Sequence, residues 1–506
     1  MQTGVINKAK KNIVFGLVNQ FIVMVCPFVE RIVIRHVLSA EYLGLDSLFS
    51  SIITVLTLTE LGFGTAVVYH MYKPAVEGNA EQINALLCYY RKAYRIIGIV
   101  IIAIGLCMIP FLPQLIEGTY PEDIQLTKLY LIYLSNAALS YFLFAYMESV
   151  IVIHQRDDIK STINSIIRVS LTSAQIIILV TTRNYYLFSM LMPVFTLIKN
   201  AFIGWRVHRL YPQYKPAGTI GHDERANIRK LVAGSFIQRA CGVTRNSLDS
   251  ICISAFLGLT VTAIYGNYYV IFNSVTKFTG VFLTAFMGGI GRHVASKSVA
   301  ENYEEMKKLD FVYLWLGSWC TICMLCLYQP FMKLWMGEDM LLPMSAVVLL
   351  CIYAYLVKLG DIRSQYTSAT GLWWEQRYRA IGETLLNLVL NITLGRFFGV
   401  YGIIIATIIS LLLCNYIWSV KIIFTHYFEP SKRKDYYLYQ GRQTLLTIIA
   451  AVLTYLLCVA IPLESVLQQL IIRLAICIIV PNLLFIAAYR KTNTYQYAKQ
   501  RILKRL

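Results

Sequence analysis

Charged side chains are scarce in this chain: Asp, Glu, Lys and Arg make up 14% of 506 residues, against 57% hydrophobic, and the mean hydropathy is +0.58. So small a polar complement cannot cover a water-soluble surface of this size, which excludes a soluble domain. Acids are the scarcer sign, 27 against 46 Lys and Arg, for a net charge of +19. Histidine is sparse as well: the seven His residues show neither HExxH nor paired-ligand spacing, and no Walker A loop appears, so neither a zinc hydrolase nor ATP hydrolysis is indicated. Cysteine is present, twelve residues of it, and Cys320, Cys323 and Cys326 have CxxC spacing. They lie in an apolar stretch with no nearby His or carboxylate, so they read as small buried hydrophobes, and no metal is expected.

Long apolar runs fill the chain almost end to end. A helical span needs roughly 20 mainly apolar residues, and such stretches fall near 12–38, 44–70, 93–116, 124–153, 161–182, 185–207, 231–256, 260–290, 309–329, 342–369, 376–397, 399–425, 441–461 and 468–489. They are too long and too uniformly apolar for the ten-residue alternation of a barrel. The expectation is therefore an all-α polytopic membrane protein of about 14 transmembrane helices. The first run is too long for a signal h-region and lacks a small-residue cleavage site.

With the N-terminus inside, roughly 32 of the 46 Lys and Arg fall in cytoplasmic segments, about five at the outer face and about nine within spans. Both termini are then cytoplasmic. The net charge is mostly a topology signal, and its scatter over many short loops speaks against nucleic acid as a partner. Outer loops are short, the longest around Gln329 to Pro343, which leaves no external domain for a membrane-embedded glycosyl- or acyltransferase. No acid or His cluster at one membrane face suggests an enzyme either. Two inner stretches, Ala80 to Tyr90 and Val299 to Asp310, mix apolar and charged residues at helical spacing; they either lie on the membrane surface or extend the span that follows.

The first twelve spans read as two related sets of six. A shift of 219 sets Asn19-Gln20 on Gln238-Arg239, Glu30 on Asp249 and Gly44 on Ala263; a shift of 217 sets the fourth and fifth spans on the tenth and eleventh. The division expected is an amino-terminal six-helix lobe at 1–207, a cytoplasmic linker at 208–230, a second six-helix lobe at 231–425, a cytoplasmic loop at 426–440, an added helix pair at 441–489 and a basic tail at 490–506. Carriers with parallel halves are built this way. Nothing signals an oligomer, so a monomer is expected.

Polar residues inside the spans recur at helical spacing. Asn19 and Glu30 share a face of the first helix, Gln238, Arg245 and Asp249 one of the seventh, Lys358, Asp361 and Gln365 one of the tenth, and Glu383, Asn387 and Asn391 one of the eleventh. Leaving about nine bases in lipid would cost on the order of 20–30 kcal/mol, more than a typical folding stability of roughly 5–15 kcal/mol. They must therefore meet water, acids or ligand. Arg31, Arg168, Arg239, Arg245, Lys277, Lys358 and Arg363 are the candidate lining of a cationic lumen. Pairing within one helix is the alternative for Arg245 with Asp249 and for Lys358 with Asp361. Glu30, Glu60, Asp249, Asp361 and Glu383 are the acids able to carry a coupling H+ or Na+; no other cofactor is implied. Pro27 and Pro193 are candidate hinge points.

The stretches LSAEYLGLDSLFSSI (Leu38 to Ile52), TELGFGTAVVYHMYKP (Thr59 to Pro74) and FGVYGIIIATIIS (Phe398 to Ser410) resemble bacterial Wzx-type polysaccharide-export flippases, in the MOP superfamily with MATE exporters and lipid II flippases. The resemblance implies a MOP/MATE-like fold, alternating access, and a polyprenyl-diphosphate-linked oligosaccharide moved between leaflets of the cytoplasmic membrane. It further implies working partners among glycosyltransferases and a polysaccharide polymerase, besides membrane lipids. An inside-negative potential of about 100 mV would favour outward movement of a doubly charged diphosphate by roughly 4.6 kcal/mol. A MATE-like exporter of cationic small molecules is the rival reading; acidic rather than basic lumen residues would mark it.

Overall fold

The structure, a computed structural model, describes residues 2–60, 62–462 and 464–496, without the side chains of 2–10, 13, 59, 231, 233–235, 238, 239 and 246. Every regular element among these residues is helical, and ten helices are long and apolar enough to cross a membrane. Hydrocarbon offers no hydrogen bonds, so each segment must satisfy its own backbone, and a helix does so within one segment. The chain divides into two compact units, Met1–Gly266 and Asn267–Leu506.

In the first unit, α1 (Gln2–Val37) is followed by α2 (Ala40–Leu56), the 3-10 turn Thr57–Glu60 and α3 (Phe63–Glu77), which together fill the second expected span. α4 (Ala80–Met108) is one continuous helix, so the surface-like stretch at its start is an extension of the third span. Asn79 caps it, accepting from the Gln82 amide at 3.0 Å. α5 (Leu126–Leu139) and α6 (Glu148–Ile153) make up an interrupted fourth span, and α7 (Asp157–Thr182) and α8 (Tyr185–Leu210) the fifth and sixth. α1 packs along α7, α7 along α8, and α5 along α8. The segment expected as a linker folds back onto α4: the Asn84 side chain bonds the Gln213 carbonyl at 3.2 Å and the Lys215 amide at 2.7 Å.

α9 (His222–Ser296) covers the seventh and eighth expected spans and passes from the first unit into the second. A kink at Gly258 (φ +81°, ψ 177°) lies between those two stretches. In the second unit follow α10 (Val299–Met336), α11 (Met344–Ala369), α12 (Arg377–Ser410), a π-helical segment (Leu411–Trp418), α13 (Ser419–His426), α14 (Arg433–Ala460) and α15 (Val466–Tyr489). α10 absorbs the second surface-like stretch and begins with a capping box, in which Ser298 and Glu301 satisfy each other's backbone amides. Its amino-terminal end packs with α11, α13 and α14 around Tyr303, Tyr366, Phe424 and Tyr436.

α1 and α8 run through Pro27 and Pro193 as helices. Departures from helical geometry lie at the Thr57–Glu60 turn and Gly62 (φ +90°), at Gly258, at Gly399 (φ +57°), at the π segment and between α5 and α6, where Leu143 and Phe144 adopt φ of +43° and +22°.

Candidate functional site: ion pairs inside the spans

In the first unit Glu30 on α1 faces α7. One carboxylate oxygen accepts from Arg168 Nη2 at 2.7 Å, the other from Thr172 Oγ1 at 2.5 Å. Arg168 and Thr172 are one turn apart, so both reach the same acid. The next residue, Arg31, points to α2: its Nη2 donates to Ser47 Oγ at 2.9 Å and lies 3.6 Å from Asp46. Asp46 also accepts the Tyr133 hydroxyl at 2.8 Å. Asp249 on α9 is 1% exposed and receives the Tyr265 hydroxyl at 3.4 Å. Arg245, a turn before it, is half-buried. The Arg239 side chain lies outside the described residues.

Glu60 takes a different partner type, two phenols: the Tyr94 hydroxyl at 2.5 Å and the Tyr141 hydroxyl at 2.8 Å, with Tyr90 donating onward to Tyr94 at 2.7 Å. It borders a cavity of about 600 Å³ shared by Tyr69, Glu148, Lys160 and Lys199, in which Lys160 pairs with Glu148 at 2.5 Å. The cavity abuts the interruption between α5 and α6, where Ser140 and Ala145 also line it. Irregular backbone at membrane depth is tolerated where it is enclosed by protein or borders water, which accounts for the break being here.

In the second unit Lys358 on α11 is buried, with its Nζ 3.6 Å from Asp361 on the same helix, and Asp361 receives the Tyr313 hydroxyl at 2.5 Å. Arg363 donates to the Asn415 backbone carbonyl at 2.6 Å and sits over the Tyr416 ring at 5.5 Å. Asn415 belongs to the π segment, whose altered hydrogen-bond register frees a carbonyl for an outside donor. Glu383 on α12 pairs with Arg379 one turn earlier at 2.5 Å and accepts from Asn415 Nδ2 at 3.4 Å. Further along that face Asn387 donates to Thr407 at 3.0 Å and Asn391 to Asn387 at 3.3 Å. Lys277 is exposed on α9 and has no polar partner among the described residues.

Four of the seven candidate bases are therefore not bare cations. Arg31, Arg168 and Lys358 each face an acid, and Arg363 faces a carbonyl dipole. Four contributors escaped the sequence reading. Asp46 looks like an ordinary residue of α2, and Asp310, completely buried and bonded by Gln440 Nε2 at 3.0 Å, sits in a stretch whose mixed pattern resembles a surface helix. Asn415 becomes visible only with the π segment. Arg379 was within reach, since its spacing of four from Glu383 is itself the signal.

No family model matches the chain, and no curated protein matches it in sequence. Solved structures do match in fold. The lipid II flippase MurJ in its inward closed conformation superposes with a TM-score of 0.68 at 15% identity, covering 94% of this chain and 99% of that one. An inward-facing multidrug resistance MATE family transporter of the MOP superfamily gives 0.59 at 13% identity, over 81% and 98%. The MATE multidrug transporter DinF-BH, in a ligand complex, gives 0.58 at 14% identity, over 82% and 95%. The chain is a multi-pass membrane protein with the MOP/MATE-like helical fold.

Proposed function

We infer that this chain is a flippase that carries a polyprenyl-diphosphate-linked oligosaccharide across the bacterial cytoplasmic membrane by alternating access, for export of a surface polysaccharide. The observation that carries this reading is the near end-to-end likeness to a lipid II flippase, over 94% of this chain and 99% of that one. Arg168 and Lys358, once released from Glu30 and Asp361, would offer an anionic cargo a cationic partner, which separates this reading from the rival exporter of cations. The amino-terminal lobe is taken as 1–207 and the second as 231–425, with both termini cytoplasmic.

The ion pairs suggest how binding and release are coupled. Arg168 is held by one carboxylate, and a diphosphate offers it more charge and more acceptors than Glu30 does. A proton or sodium ion arriving at Glu30, or at Asp361 beside Lys358, weakens the internal pair and frees the base for the cargo. Such an ion shifts the two access states only because it binds them unequally. Asp249, Glu60 and Glu383 are the other acids placed for this role, and Arg239, Arg245, Lys277 and Arg363 the other bases.

The test is transfer of a fluorescent polyprenyl-diphosphate saccharide across proteoliposomes containing the purified chain. Arg168→Ala and Lys358→Ala are expected to reduce transfer at least about tenfold with insertion unchanged. Normal transfer by both variants would sink the phosphate role, and efflux of a cationic dye without lipid transfer would favour the exporter. In the cell, loss of surface polysaccharide with lipid-linked precursor accumulating inside is the matching phenotype.

A further inference from the structure

Three cysteines distant in sequence converge between α10, α14 and α15. The Sγ atoms of Cys326, Cys458 and Cys477 all lie within 4.8 Å of one another. All three are at most 1% exposed, and their shell is apolar: Ile322, Ala450 and Phe485, with Leu446 and Leu484 beside them. Cys323, one turn before Cys326, brings a fourth thiol into contact with Cys477. The CxxC spacing reads as packing when taken alone, because its partners sit 132 and more residues further on and only the folded helices supply them.

A second feature points to a ligand. Arg473, one turn before Cys477 on α15, donates Nη1 to the Cys326 carbonyl at 3.3 Å. Its Nε is buried with no hydrogen-bond partner, and no carboxylate pairs with it among the described residues. Its charge reaches both Cys458 and Cys477. A guanidinium with part of its donor set buried and unsatisfied favours a counter-charge, and the groups beside it able to become anionic among the described residues are thiols.

We propose that Cys326, Cys458 and Cys477 form a binding site for a thiophilic d10 metal ion, with Arg473 balancing its charge and Cys323 available as a fourth sulfur ligand. Metal–sulfur bonds of roughly 2.3 Å place ligand sulfurs about 3.8–4.0 Å apart, so the observed triad closes on an ion with side-chain adjustments under about 1 Å. Sulfur-only donors exclude magnesium and calcium and select zinc or cuprous copper. Charge favours zinc: three thiolates and a divalent ion leave one negative charge, which Arg473 cancels. Binding releases the thiol protons to solvent and involves no change of oxidation state. Cys458 stands two residues from the end of α14, so the ion has a short route in from the α14–α15 connection. The bound ion would pin the terminal helix pair to α10.

The full chain, purified in detergent under reductant and stripped of metal, is loaded with Zn(II) or separately with Cu(I), desalted and analysed for metal. About one zinc per chain is expected, lost in Cys326→Ala and Cys477→Ala and kept in Cys107→Ala. Should the variants fold poorly, wild-type protein answers by itself: N-ethylmaleimide labelling of Cys326, Cys458 and Cys477, followed by mass spectrometry, is expected to slow about tenfold with zinc. Copper retained in place of zinc would leave the site standing and reverse the charge argument. Labelling unaffected by either metal, retention that follows Cys107, or a disulfide within the triad after purification without reductant would overturn it. None of these outcomes bears on lipid transfer, so this site and the flippase reading stand or fall separately.

Discussion

Glu383 is the residue whose loss has the clearest energetic consequence. It and Arg379 are both buried, and removing one partner of such a pair strands the other charge. Glu383→Ala is expected to destabilise the second unit by about 3–5 kcal/mol, read as a lowered melting temperature in detergent, whereas the double change Arg379→Met with Glu383→Leu should recover most of it. The Glu30–Arg168 contact is different in kind, since both groups retain some solvent access. Exchanging them, Glu30→Arg with Arg168→Glu, should preserve folding as judged by size-exclusion behaviour yet abolish lipid transfer. Transfer at the original rate by the exchanged chain would make this pair a purely structural one.

At the scale of elements, the kink at Gly258 rests on a backbone conformation that L side chains rarely adopt, and a Cβ there would stand 2.8 Å from the Glu117 carbonyl oxygen. Gly258→Ala should cost about 1–3 kcal/mol of stability, measurable by thermal denaturation. Ser298→Ala, which removes half of the α10 capping box, should cost about 1 kcal/mol by the same assay. Hydropathy made the helices legible because each must satisfy its backbone within lipid, so apolar length alone marks it. The interruptions were harder to see. Gly258 falls between two expected spans and Gly399 at the first residue of one, where a break is anticipated; Leu143 and Phe144 adopt positive φ with no sequence mark, because the cavity and the space left by Gly204 for the Phe144 ring permit it. The candidate site was half legible. Spacing within one helix exposes pairs such as Lys358–Asp361, while Glu30–Arg168, Arg31–Asp46 and the cysteine triad depend on contacts between helices that no single-helix pattern encodes.

For the whole molecule, the proposed cargo carries net charge across the membrane, so transfer should respond to voltage. Imposing an inside-negative potassium diffusion potential of about 100 mV on proteoliposomes should speed outward movement of the diphosphate lipid, within a ceiling set by roughly 4.6 kcal/mol. No acceleration would mean that the cargo's charge is compensated by a co-moving cation. The hollow beside Glu60 bears on where that voltage acts. A cavity of about 600 Å³, lined by charged side chains and tyrosine rings together, has room for on the order of twenty waters. Water filling it would bring the potential of the adjoining solution with it, and the electrical thickness of the first unit would then be smaller than its physical thickness. The field would then steepen across the remaining protein shell, and a charge displaced there would sense a larger share of the membrane voltage than its travel in ångströms suggests.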